Sequence, residues 1–179
     1  MAQSRIRFTY EDYKTLPDDK RYELLEGELV MVPSPKTHHQ RISGNLEFLL
    51  RTFVQEHDLG EIFHAPLDVV LAEETVVQPD IIFISKERAR IITEDNIRGA
   101  PDLVIEILSE TTAERDRVAK RLLYAKYGVR EYWLVDPTTG SIEVLQLGER
   151  GFEPIGIFWE GQTLRSPLLG LELQLDQVF

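Results

Sequence analysis

Ala100-Pro101-Asp102-Leu103-Val104-Ile105-Glu106-Ile107-Leu108-Ser109 is an apolar run with one carboxylate at its centre. Its length and β-branched content predict a strand buried on both faces over Leu103 to Leu108. Alternation puts Val104, Glu106 and Leu108 on one face and Leu103, Ile105 and Ile107 on the other. An unpaired buried carboxylate costs on the order of several kcal/mol, so Glu106 requires a cation. A second acid opens a neighbouring run, Pro79-Asp80-Ile81-Ile82-Phe83-Ile84. Two acids at adjacent strand positions suggest a divalent metal or a lysine between them.

Downstream, Thr111 and Glu114 have capping-box spacing and predict a helix running to Tyr127, stopped by Gly128. Glu131 to Val135 is the next strand, ended by Asp136-Pro137. A strand-helix-strand order predicts a right-handed crossover between parallel strands. The helix carries an apolar stripe of Val118, Ala119, Leu122, Leu123 and Ala125. At about 100° per residue, Lys120 falls about 60° beyond Leu123, at the edge of that stripe and within reach of Glu106. Beyond Thr139-Gly140, Ser141 to Leu147 and Phe152 to Trp159 read as an antiparallel tail.

Upstream, Thr9 with Asp12 predicts a short helix to Leu16, and Tyr22 to Leu25 with Glu28 to Val32 a hairpin around Gly27. Thr37 and Gln40 predict a capping box. Ile42, Leu46, Leu49, Leu50 and Phe53 then form a helical stripe, and Gly60 follows as a stop. Ile62 to Leu71 and Val76 to Ile84 read as two further strands. The pattern is a single α/β or α+β domain over residues 1–179, with helices flanking one mixed central sheet. The apolar stretch Leu164 to Phe179 exceeds what one core is expected to cover, which suggests a homodimer.

The 179 residues hold no cysteine, which excludes disulfides and thiolate chemistry and fits a reducing cytoplasm. The start has no signal-peptide stretch, and no run approaches the roughly 20 apolar residues of a membrane helix. The net charge of −11 disfavours general binding of a polyanion. The segment from Glu114 to Arg130 nevertheless gathers Arg115, Arg117, Lys120, Arg121, Lys126 and Arg130. Two carboxylates plus a lysine form a minimal kit for metal-assisted phosphodiester hydrolysis. The acids hold a hard cation that polarises the phosphate and activates a water, and the lysine orients that water or stabilises charge on the phosphoryl oxygens. Taken singly, each residue has an ordinary reading: Asp80 as a strand-end cap, Glu106 and Lys120 as a structural ion pair.

Pro79-Asp80 followed by Glu106-Ile107-Leu108 resembles the PD-(D/E)XK restriction-endonuclease-like superfamily and, within it, the Uma2 family of bacterial endonuclease-like proteins. The likeness runs through Tyr22 to Leu29, Ser34-Pro35, His39 to Ile42, Gln78 to Ile81, Pro101 to Ser109, Asp116, Lys120, Tyr124 and Tyr132 to Val135. The resemblance implies a restriction-endonuclease-like core and a Mg²⁺ (or Mn²⁺) site at Asp80 and Glu106, with the Ile107 carbonyl as third ligand. It also implies nucleic acid, DNA first, as substrate. Leu108 stands where the superfamily's motif lysine is found; the resemblance moves that role to Lys120. Glu23 and His39 match family positions without an assigned role and are expected to be accessory. The rival expectation is a catalytically silent binding or regulatory protein on the same fold. A carboxylate glycosidase is disfavoured by the helix lysine and the lack of an aromatic sugar platform.

Overall fold

A computed structural model describes residues 6–179. Thr9 caps the first helix through a reciprocal bond pair with Asp12, as the spacing predicts. That helix, α1 (Tyr10–Tyr13), is shorter than expected, because Thr15 and Leu16 bond back three residues and tighten the chain into a turn before Pro17. Strands β1 (Arg21–Leu25) and β2 (Glu28–Val32) pair antiparallel. Their two-residue loop puts Glu26 and Gly27 at φ of 48° and 86°, the left-handed pair that a tight hairpin needs.

Helix α2 (Thr37–Glu56) buries Ile42, Leu46, Leu50 and Val54 along the expected stripe. The Thr37 capping box is absent: the N-cap is Lys36, and no side chain caps the helix. The two long strand-like runs are each broken by a proline, which lacks a ladder donor. Pro66 separates β3 (Gly60–His64) from β4 (Val69–Ala72), and Pro79 separates β5 (Thr75–Val77) from β6 (Ile81–Ser85). A 3₁₀ turn (Lys86–Ile91) and β7 (Ile97–Arg98) lead to β8 (Leu103–Ile107). After α3 (Ala113–Arg115), a π-helical turn (Asp116–Lys120) and α4 (Arg121–Tyr127), the chain enters β9 (Glu131–Asp136). Strands β10 (Ser141–Gly148), β11 (Gly151–Trp159), β12 (Thr163–Ser166) and β13 (Leu171–Gln174) complete it.

The breaks at Pro66 and Pro79 divide what read as one sheet into two. The central sheet is mixed, in the order β11-β10-β9-β8-β6-β3; a second sheet runs β2-β1-β5-β4-β7, and β12-β13 form a hairpin. β8 and β9 are parallel, as the crossover requires, while β6 pairs antiparallel with β8. Odd-numbered residues of β8 join α2 in one core with Ile81, Phe83, Trp133 and Val135. On the other face Val104 and, just past the strand, Leu108 join Leu123 and Tyr124 in a second core with Ile82, Ile84, Tyr132 and Leu134. The C-terminal apolar stretch is consumed internally: Leu164, Leu171, Leu173, Leu175 and Val178 are buried against the α2 core. The reason given above for a homodimer therefore falls away. Among the described residues, no helix is long and apolar enough to cross a membrane.

Candidate functional site

The register between β6 and β8 sets the site. Ile81 faces Ile105, so one step further Asp80 stands beside Glu106 at the end of both strands. Asp80 Oδ2 accepts from the Ile107 amide at 2.8 Å, which ties the acid to the strand that carries Glu106. His39, on the first turns of α2, places Nε2 3.3 Å from Asp80 Oδ1. Asp80, Glu106, Ile107 and His39 line one cavity of about 410 Å³, together with Glu23, Arg115, Asp116 and Lys120.

Lys120 arrives from the other side of the cavity. Its Nζ donates to Glu23 Oε1 and Glu106 Oε1, both at 2.8 Å, and lies 3.6 Å from Asp116 Oδ1. Its side chain is 3% exposed, so this is a buried ammonium among three carboxylates. Tyr124 donates to the same Glu106 oxygen at 2.6 Å, and Tyr132 donates to the Asp116 carbonyl at 3.0 Å. Glu23 reaches the group from β1, where the Gln78 amide also donates to its Oε1 at 2.9 Å.

The π turn accounts for this inward set. Its wider winding brings Asp116, Lys120 and Tyr124 onto one line facing the sheet, and such turns recur at functional sites. The expected apolar stripe is corrected by it: Val118 is 57% exposed and Leu122 69%, while Asp116 and Lys120 are buried. The predicted capping box at Thr111 and Glu114 is also absent; Ser109 and Thr112 bond one another's amides and hydroxyls at the helix entrance instead.

The charges do not balance. Burial pushes the Glu106 carboxyl well above its usual range; Lys120 opposes that, and Asp116, Asp80 and Glu23 add to it. Burial likewise raises Asp116, against the pull of Lys120. Burial disfavours the charged form of Lys120, but Glu106, Glu23 and Asp116 outweigh it and hold the ammonium above its usual range. Burial raises the Tyr124 phenol too, so it remains a donor. His39 is lowered by burial and raised more by Asp80. Glu23 Oε2 and Asp116 Oδ1 are shut off from solvent with no hydrogen-bond partner. Buried acids in excess, with orphaned oxygens, are the surroundings in which a hard cation is stable. The donors on offer, carboxylate oxygens and a peptide carbonyl, match that class of ion. Among the described residues, no three His, Asp or Glu side chains are placed so that they alone could hold a metal ion. Two carboxylates and a carbonyl with water and substrate oxygens is the usual Mg²⁺ arrangement.

Each residue singled out in the sequence lines this cavity: Asp80, Glu106, Ile107, Lys120, Glu23 and His39. Sequence reasoning missed Tyr124 as a hydrogen-bond partner of Glu106 and Asp116 as a member of the acid cluster. Both stood in the family likeness without a role, and their i, i+4 spacing about Lys120 was masked by Val118 and Leu122, which are exposed.

Residues 10–177 match the model of the Uma2 family, described as "Putative restriction endonuclease", and the chain belongs to that family. Two uncharacterized proteins of Synechocystis sp. are similar to it. One is 27% identical, covering 89% of this chain and 85% of the relative. The other is 25% identical, covering 89% and 84%. The fold is shared with a crystal structure from Anabaena variabilis described as a putative nuclease. That structure has a TM-score of 0.79 and 22% identity over 96% of this chain and 97% of the other.

Proposed function

We propose that the chain is a Mg²⁺- or Mn²⁺-dependent nuclease that hydrolyses phosphodiester bonds in nucleic acid, DNA first. The observation that supports this reading most is the buried excess of carboxylates around a single lysine. Asp80, Glu106 and the Ile107 carbonyl would hold the metal. When bound, the ion supplies Lewis-acid polarisation of the phosphate and a more acidic water. Lys120 remains protonated, so its part is to donate hydrogen bonds to developing phosphoryl charge rather than to take a proton. Tyr124 and Lys120 both engage Glu106 Oε1 and fix the rotation of that carboxylate. His39 orients Asp80 from the opposite side.

The rival reading is a protein that binds through the same cavity without cutting. It is favoured by the closed state of Lys120, whose two short bonds to Glu23 and Glu106 must loosen before it can serve a phosphate.

Thermal melting in EDTA, Mg²⁺ and Mn²⁺, run beside cleavage of single-stranded, duplex and branched DNA and RNA, separates the two. At a hundredfold excess over its dissociation constant, an ion bound only by the folded state adds about 2.7 kcal/mol. For a domain of this size that is roughly 5–10 °C in Tm. Glu106→Gln is expected to abolish the shift and leave the metal-free protein at least as stable. Equal shifts in both proteins would place the ion elsewhere. A wild-type shift without cleavage would favour the binding protein.

A further inference from the structure

Arg115 is the charged residue of the cavity wall that the acid-acid-lysine scheme leaves unused. The other buried or half-buried cations there already have close partners. Lys120 is bonded to its carboxylates, Arg21 Nε donates to Gln78 Oε1 at 2.9 Å, and His39 faces Asp80. Lys36 lies 3.8 Å from Glu110 at the exposed rim. The Arg115 side chain makes no hydrogen bond among the described residues. Its Nε is shut off from solvent without a partner. Its nearest acid oxygen, Glu23 Oε2, is 3.9 Å from Nη2 and is itself orphaned. The side chain is only 19% exposed, and it lines the cavity with Asp80, Glu106 and Lys120. A half-buried guanidinium with unused donors is costly unless a ligand supplies acceptors, and its planar fork matches two oxygens of one phosphate.

We propose that Arg115 binds a phosphate of the substrate strand, the charge that lets a polyanion enter a wall of carboxylates. The inference rests on the nuclease reading and adds a residue and a ligand group to it. The fork takes two non-bridging oxygens, and Glu23 is the counter-charge that holds Arg115 in place until a strand arrives. Arg115 thereby acts on binding before it acts on rate.

The test is binding of a fluorescein-labelled single-stranded oligonucleotide and its duplex at fixed millimolar Ca²⁺ over a KCl series, with cleavage followed in Mn²⁺. The proteins are wild type, Arg115→Gln and Arg115→Lys. Arg115→Gln is expected to weaken binding at least about tenfold and to lower the salt slope by about 0.7 for the single strand or 0.9 for the duplex, the loss of one phosphate contact. Arg115→Lys keeps the charge and so the slope, but loses the fork. It is expected to bind more weakly than wild type and to raise KM more than it lowers kcat. This variant keeps the assay decisive should the glutamine form fail to fold. If wild type binds and cleaves while both variants match it in affinity and slope, Arg115 has no such role and the nuclease reading stands. If wild type neither binds nor cleaves any of the substrates, the nuclease reading falls, and the phosphate site falls with it.

Discussion

Replacing Lys120 by Met removes the one ammonium that bonds Glu23 and Glu106 and approaches Asp116, and it leaves those acids buried. Breaking a buried pair from one side costs about 3–5 kcal/mol, because the remaining charge is uncompensated. Here part of that cost is avoidable, since the acids can take protons. Glu106 and Asp116 already hold their protons more tightly than in the unfolded chain, where they titrate near 4.5 and 3.8. A carboxyl raised in the folded state binds more protons folded than unfolded. Its contribution to stability is complete below the unfolded value and is lost as pH rises through the folded one. Without Lys120 both groups move further up, so the pH range of that loss widens. Each proton retained by the folded variant and not by wild type steepens the fall of stability by about 1.4 kcal/mol per pH unit. Urea unfolding in EDTA at pH 5.5 and pH 8 measures this. The variant is expected to be about 3–5 kcal/mol less stable than wild type at pH 8, and the gap is expected to shrink by at least about 1.4 kcal/mol at pH 5.5. A gap of equal size at both values would refute the claim that the penalty is uncompensated carboxylate charge.

Two further outcomes follow from the same geometry. Tyr124→Phe deletes a buried 2.6 Å donor to Glu106 and is expected to cost about 1–3 kcal/mol in urea unfolding; no change would mean that Lys120 alone satisfies that oxygen. In metal-free protein, NMR titration is expected to find His39 above its ordinary 6.5, and Asp80→Asn is expected to lower it, because burial is then opposed only by the Ile107 backbone contact; an unmoved midpoint would show that Asp80 is not its partner.

The backbone of the site was readable because its strands are written in continuous apolar runs. The run around Glu106 could only be a buried strand, and Pro79-Asp80 marked where the next began. Helix α2 was equally plain, since its buried stripe is long and regular. The inward face of the following helix was not. Periodicity weighs apolar side chains, and there the apolar residues Val118 and Leu122 point outward while a salt cluster points inward. No scale of hydrophobicity anticipates a buried lysine whose partners lie elsewhere in the chain. Glu23 illustrates the same limit: it sits in a hairpin of the second sheet, and only tertiary packing brings it to Lys120. Tyr124 showed no polar role in the sequence because most of it is packing; its ring lies edge-on to Tyr132, and the hydroxyl alone serves Glu106.

The bond between Glu23 and Lys120 spans 97 positions of the chain. On a ribosome, the hairpin that bears Glu23 emerges long before the turn that bears Lys120 has been made. Glu106 likewise waits for it, so a growing polypeptide carries acids without their neutralising partner. Contacts this distant in sequence are closed late, after local structure has formed. A fragment ending before residue 120 contains Glu23, Glu106 and Asp116 but not the lysine that gathers them. Completion of the domain is thus the event that creates the site.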